Sequence, residues 1–155
     1  MACPWLPDIL CLSPWKISTY DELYIIFQAD FIKTKPVFYK NQIKVPLEKE
    51  DGKEKIFWHL TSCDSPMGRL PELRRAERIH WIKPILENSE NYEEILVFAY
   101  GEKKTARTYV WIKERDYLIV LKPLNGDRHL LLTAFFIDQP HTKRAIERKY
   151  RERAK

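Results

Sequence analysis

The sequence predicts an α+β fold: N-terminal helices packed on a four-stranded antiparallel meander, followed by a basic C-terminal helix. Three observations carry this expectation. Four β-rich runs, ILVFAY, TARTYVWIK, DYLIVLKPL and HLLLTAFFI, follow one another in the second half, separated only by GEKK, ER and NGDR. Asn125-Gly126 in the last of these turns is a strong hairpin dipeptide, because both residues tolerate the positive φ of a tight turn. Upstream, apolar residues recur at helical spacing in TYDELYIIFQADFIKT and again over 71–86.

Taken in order, residues 1–17 read as an irregular leader and residues 18–155 as one domain, the number that 155 residues suggest. Ser18 or Thr19 can cap the first helix, with Glu22 as capping partner, and Leu23, Ile26, Phe27 and Phe31 form its apolar stripe. Pro36 ends it. A short strand or extended loop follows over 37–47, then the charged turn EKEDGKEK. The residues of IFWHLT prefer strands, so His59 and Thr61 are expected on one strand face. Pro71 suits the first turn of a second helix reaching about Leu86, with a kink or early stop at Pro84. In TARTYVWIK, alternation puts Arg107, Tyr109, Trp111 and Lys113 on one face and Thr108, Val110 and Ile112 on the other. The first face is expected to stay open, aromatic and basic. The second is expected to bury against the helices. A final helix spans 140–153.

Composition excludes several classes. At 45% hydrophobic and 13% aromatic, the chain can bury a core and is not a disordered segment. Three cysteines (Cys3, Cys11, Cys63) without regular spacing give neither a disulfide framework nor a zinc signature. The start, MACPWLPDILCLSPW, lacks a basic n-region and is a poor secretory signal. No run approaches the roughly 18 apolar residues that a membrane span needs. The expected setting is the cytoplasm, without a membrane. The net charge is +5, and its location matters more than its size. Residues 139–155 hold seven basic residues against Glu147 and Glu152, an excess of five that equals the net charge of the chain. A local basic end suits a polyanion; it also suits a merely solvated helix.

Candidate chemistry begins with His59, whose imidazole titrates near neutrality, although an isolated histidine is more often structural than catalytic. Arg74, Arg75 and Arg78 are neighbours on a helix and can grip phosphate in bidentate fashion, or sit as a solvated face paired with Glu72 and Glu77. Thr133 interrupts an apolar run, so its hydroxyl either bonds a backbone group or faces a site; by period two it shares a face with His129 and Leu131. His80, His141 and the cysteines show no metal spacing. There is no phosphate-binding glycine loop and no nucleophile elbow. Neither a metal nor a cofactor is expected.

FWHLTS, RRAERIHW, RTYVWIKERDYLIVL and LLLTAF, in that order, resemble the metal-independent ribonuclease superfamily named for barnase, EndoU, the tRNase colicins and RelE toxins, in its phage- and toxin-associated branches. The resemblance covers about 21–153. It implies helices on a four-stranded antiparallel sheet and metal-independent cleavage of RNA, tRNA included. It nominates His59, Arg75, Arg78, Lys113 and Thr133, and leaves open whether His129, His80 or Glu77 supplies a second acid or base. It also implies an antitoxin or immunity protein as a partner. Around these residues, Arg74, Arg107, Arg144 and Arg148 are expected to bind phosphates, and Tyr109 and Trp111 to stack on bases. His59, Arg78 and Thr133 are expected to line one concave surface. The alternatives are a nucleic-acid-binding module without chemistry, and an interaction protein that uses Trp5, Trp15 and Tyr20 as a partner site.

Overall fold

The computed structural model describes residues 4–153. Cys3 and Lys155, counted above among the cysteines and the basic tail, lie outside them. The helix α1 (Thr19–Phe27) runs into a π-helical turn, Gln28–Lys33. Two small hairpins follow, β1 (Val37–Phe38) with β2 (Asn41–Gln42) and β3 (Lys49–Glu50) with β4 (Lys53–Glu54). Next come α2 (Lys55–Thr61), the hairpin of β5 (Ser62–Ser65) and β6 (Gly68–Pro71), α3 (Leu73–Ala76), a 3-10 turn Ile79–Trp81, and α4 (Ile82–Glu87). The meander is β7 (Ile95–Tyr100), β8 (Arg107–Ile112), β9 (Tyr117–Pro123) and β10 (His129–Phe136), all antiparallel in the order β10-β9-β8-β7. The helix α5 (Pro140–Arg151) closes the chain. The predicted α+β architecture is the observed one. The predicted β9–β10 hairpin forms, but its connection is a wider loop, with positive φ at Gly126 (73°) and Asp127 (60°) rather than at Asn125 and Gly126.

The sheet buries both faces. Val110, Ile112, Ile119, Leu121, Leu131 and Ala134 join the helical residues Leu23, Phe27, Phe57, Leu60, Ile79, Ile82 and Ile85 in one core. The opposite face was expected to stay open. Instead, Phe98, Tyr109, Trp111 and Leu118 pack under α5 through Ile146 and Tyr150. The Tyr150 ring lies 5.2 Å from Phe98 and 5.9 Å from Trp111. Each aromatic ring buries about 150–250 Å², roughly 4–6 kcal/mol at ~25 cal/mol per Å². That gain outweighs leaving the rings free for a ligand.

Local expectations fail in four places. IFWHLT is helix, not strand. As a helix it stacks Ile56 on Leu60 and Phe57 on Thr61, all buried, and burial overrides β-propensity. Residues 71–86 break into three pieces: Pro71 ends β6, and Pro84 sits third in α4, where a missing N–H costs nothing. Ser18 makes no side-chain cap; the Thr19 hydroxyl instead accepts from the Lys16 N–H at 3.1 Å. Finally, β10 carries a bulge between Leu131 and Thr133. The extra residue reverses the alternation, so Thr133 leaves the face of His129 and Leu131 and turns to the α5 side.

Residues 4–17 form no regular element yet are held by specific bonds. Trp5 Nε1 donates to Glu94 Oε1 at 3.0 Å and its ring stacks on Tyr92. Trp81 Nε1 donates to the Pro7 carbonyl at 2.8 Å, and the Leu10 N–H to the Glu77 carbonyl at 2.9 Å. Trp5 and Trp15 pack half-buried on the core, and Tyr20 is buried within it. Among the described residues, no helix is long and apolar enough to cross a membrane.

Candidate nucleic-acid site

Two clefts meet at Arg75. One, of about 390 Å³, opens between α2 and the β5–β6 hairpin and is lined by His59, Ser62, Asp64, Arg69 and Arg75 among others. The second, of about 180 Å³, lies between α3, the end of β10 and the start of α5; Glu72, Arg74, Arg75, Phe135, Asp138 and Thr142 line it.

His59 lies in the last turn of α2. Ile56, Phe57 and Leu60 turn inward, and the two-residue step from Thr61 leaves His59 exposed while Thr61 is fully buried. The two therefore do not share a face. Partial burial of the ring pushes the His59 pKa down, and the Arg75 charge pushes it further, against an opposing pull from Asp64. The imidazole is accordingly neutral at pH 7, the form able to accept a proton.

Arg75 donates from Nη1 to the His59 carbonyl at 3.0 Å. That carbonyl belongs to the last turn of α2, where helix oxygens lack partners and carry partial negative charge. The same guanidinium lies 5.8 Å from the Phe135 ring, and that of Arg74 lies 5.3 Å from Phe136. Among the described residues, neither arginine has a carboxylate ion pair, so their charge is available to an anion. Arg69 and Arg78 differ. Arg69 binds Asp51 and Glu50 at 3.0 and 3.2 Å and stacks 3.8 Å from the Trp58 centroid. Arg78 binds Glu77 at 2.7 Å and the Arg74 carbonyl at 2.8 Å, between Phe136 and Trp81, with its side chain only 12% exposed.

The expected single concave surface is not formed. Arg78 lines a separate cleft of about 790 Å³, against residues of the 4–9 segment and Glu114–Asp116. Thr133 lies on the α5 side of the sheet; its hydroxyl is buried and has no hydrogen-bond partner among the described residues. It shares that strand face with Phe135 and lines neither of the clefts that Arg75 lines. Lys113 stands on the β8–β9 turn, 3.8 Å from Glu147, and lines neither cleft. Arg107 begins β8, at the opposite end of the sheet from Phe136, and donates to the Ala106 carbonyl. Tyr109 and Trp111 are buried under α5, which corrects their expected role as stacking platforms. Arg144 and Arg148 lie on the outer face of α5, opposite Ile146, with Arg148 4.0 Å from Glu152. Of the candidates for a second acid or base, His80 contacts the Asp8 carbonyl, His129 the Thr108 hydroxyl, and Glu77 Arg78; none lines the His59 cleft.

Sequence reasoning gave no site role to Asp64 or Phe135, and took Glu72 only as a charge partner of the arginines. Asp64 and Arg69 pair across the β5–β6 hairpin, whose Pro66–Gly68 turn was the available signal. Glu72 caps α3, its side chain accepting from the Arg74 N–H at 3.1 Å. Among the described residues, no three His, Cys, Asp or Glu side chains gather to hold a metal. Comparison with protein-family models, curated proteins and solved structures finds no match to this chain.

Proposed function

We propose that the chain is a metal-independent endoribonuclease, toxin-like in the manner of the barnase/EndoU/colicin/RelE superfamily it resembles, with its site in the two clefts that share Arg75. One observation carries the proposal: His59 lines one cleft with Arg75, an arginine that has no carboxylate partner among the described residues. In this reading the RNA 2′-hydroxyl attacks the adjacent phosphorus and His59 takes its proton, an effect worth about 10²–10⁴-fold. Arg75, with Arg74 beside it, stabilises the charge on the phosphorane oxygens. The 5′-oxygen leaves with a proton from water, giving a 2′,3′-cyclic phosphate and a 5′-hydroxyl. The Thr133 hydroxyl is buried and lines neither cleft, so this reading gives it no contact with the phosphate. Arg78 and Lys113 support the surface without touching the phosphate. The substrate is RNA, with tRNA as one candidate. The setting is cytoplasmic, and an antitoxin or immunity protein is the matching partner class.

The test is incubation with total tRNA and a short single-stranded RNA in EDTA, comparing wild type with His59→Ala and Arg75→Ala. Fragments ending in cyclic phosphate, lost in both variants, are expected. Cleavage undiminished by His59→Ala would place the chemistry elsewhere.

A second reading, binding without cleavage, is favoured by one feature. Arg144, Arg148 and Arg151 form an exposed row on α5, facing away from both clefts. Salt-sensitive RNA binding without turnover, lost on replacing that row, supports it.

A further inference from the structure

The helix α5 packs across one face of the meander, and its two flanks differ in charge balance. On one flank Lys143 pairs with Asp116 at 3.1 Å and Glu147 meets Lys113 at 3.8 Å, so the cations beside the β8–β9 turn are neutralised. The other flank carries Thr142, Ala145 and Lys149, which helical periodicity sets in line. From there Lys149 Nζ reaches the Tyr109 hydroxyl at 3.4 Å and lies 5.8 Å from the Tyr100 ring.

Two more cations stand at that end of the sheet. Tyr100 opposes Arg107 across β7 and β8. One step beyond the Thr108↔Leu121 pair, and still inside both strands, Lys122 flanks Arg107 on its other side. Alternation sets Tyr100, Arg107 and Lys122 on the α5 side, with Phe98, Tyr109 and Val120. Among the described residues, Arg107, Lys122 and Lys149 make no ion pair. The loops at this end, 101–106 and 124–128, add Lys103, Lys104 and Arg128 against Glu102 and Asp127. The excess of positive charge is therefore local and unbalanced.

We propose that this flank of α5 is a track for single-stranded RNA leading out of the cleft that Arg74 and Arg75 line. Thr142 lines that cleft, and Lys149 stands two helical turns further along the same flank, about 10 Å away. A strand leaving the cleft follows α5, and its phosphates meet Lys149, Arg107 and Lys122. The inference rests on the RNA reading of the site and adds where the substrate extends. Unbalanced cations select a polyanion. A lipid surface is the rival polyanion. None of the exposed large apolar side chains among the described residues lies in β7–β10 or α5, so this end has nothing to insert among lipid tails. Tyr100, half-buried beside Arg107, offers a ring to an unpaired base.

The test is binding of 2′-O-methyl RNA, which lacks the attacking hydroxyl and stays intact, read by fluorescence anisotropy over a salt series. Oligomers of about three and about twelve nucleotides compare the clefts alone with the clefts plus the track. The longer is expected to bind more tightly. Lys122→Gln with Lys149→Gln should weaken the longer roughly tenfold, remove the advantage of length, and flatten the log–log salt slope by about 0.7 for each lost contact. Lys122 is exposed, so Lys122→Gln alone keeps the circular dichroism of the wild type and should show half of the slope change. Lys143→Gln removes the same charge from the balanced flank and should keep the advantage of length. Equal weakening by Lys143→Gln, or no advantage of length in the wild type, overturns the proposal. Binding to phosphatidylserine vesicles in place of RNA overturns it in favour of a membrane. Cleavage of ordinary RNA is scored separately: cleavage without the advantage of length sinks only the track, and the advantage of length without cleavage sinks only the enzyme reading.

Discussion

Arg75 bonds the backbone carbonyl of His59, not its ring. One guanidinium thereby ties α3 to the end of α2, joins two clefts, and sets the charge beside an imidazole. Arg75→Ala removes all three, and RNA cleavage is expected to fall by about 10²–10³-fold. Arg75→Lys restores charge without the planar fork and should recover only part of the rate. Single-turnover cleavage of a labelled RNA by the three proteins checks this.

The His59 pKa is pushed below its usual 6.5 by burial and by Arg75. If His59 is the base, activity rises with pH through the imidazole range, with a midpoint below 6.5. Arg75→Gln removes the repulsion from that cation and moves the midpoint upward. An NMR titration of the His59 ring measures the shift even where activity is lost. The linked effect on stability has a definite sign. A lowered folded-state pKa means that the unfolded chain binds more protons, so stability is complete above about 6.5 and declines as pH falls toward the folded value. The His129 pKa, lowered mainly by burial, acts in the same direction. Melting temperature against pH should therefore decline on acidification, less so in His129→Gln.

Thr133 has a buried hydroxyl without a partner among the described residues. Thr133→Val keeps the shape and removes that cost, so stability should hold or rise by up to about 1–2 kcal/mol. Because the hydroxyl lines neither cleft, cleavage is expected to stay unchanged. Urea unfolding and the cleavage assay, run on one preparation, separate the two effects.

Tyr24 Oη donates to Glu54 Oε1 at 2.7 Å, and the bond pushes the Tyr24 pKa up to about 12. Glu54 is buried. Tyr24→Phe leaves its carboxylate short of a donor and should cost about 1–3 kcal/mol, read from urea unfolding at pH 7.

The meander shows how far local sequence reaches. Runs of β-formers, an Asn-Gly turn and short connections specify antiparallel neighbours because each signal acts over a few residues. The α+β class and the basic final helix follow from the same local rules. Where His59 stands did not. Whether FWHLT becomes strand or helix depends on the core waiting for Phe57 and Leu60, which lies in distant elements. The bulge that turns Thr133 over, and the α5 helix that buries Tyr109 and Trp111, are likewise decisions of packing. The sequence by itself determined the architecture and named the arginines and the histidine. Only the tertiary structure decided which arginine meets that histidine, because Arg75 reaches the His59 carbonyl only after α2 and α3 have been packed side by side on the sheet.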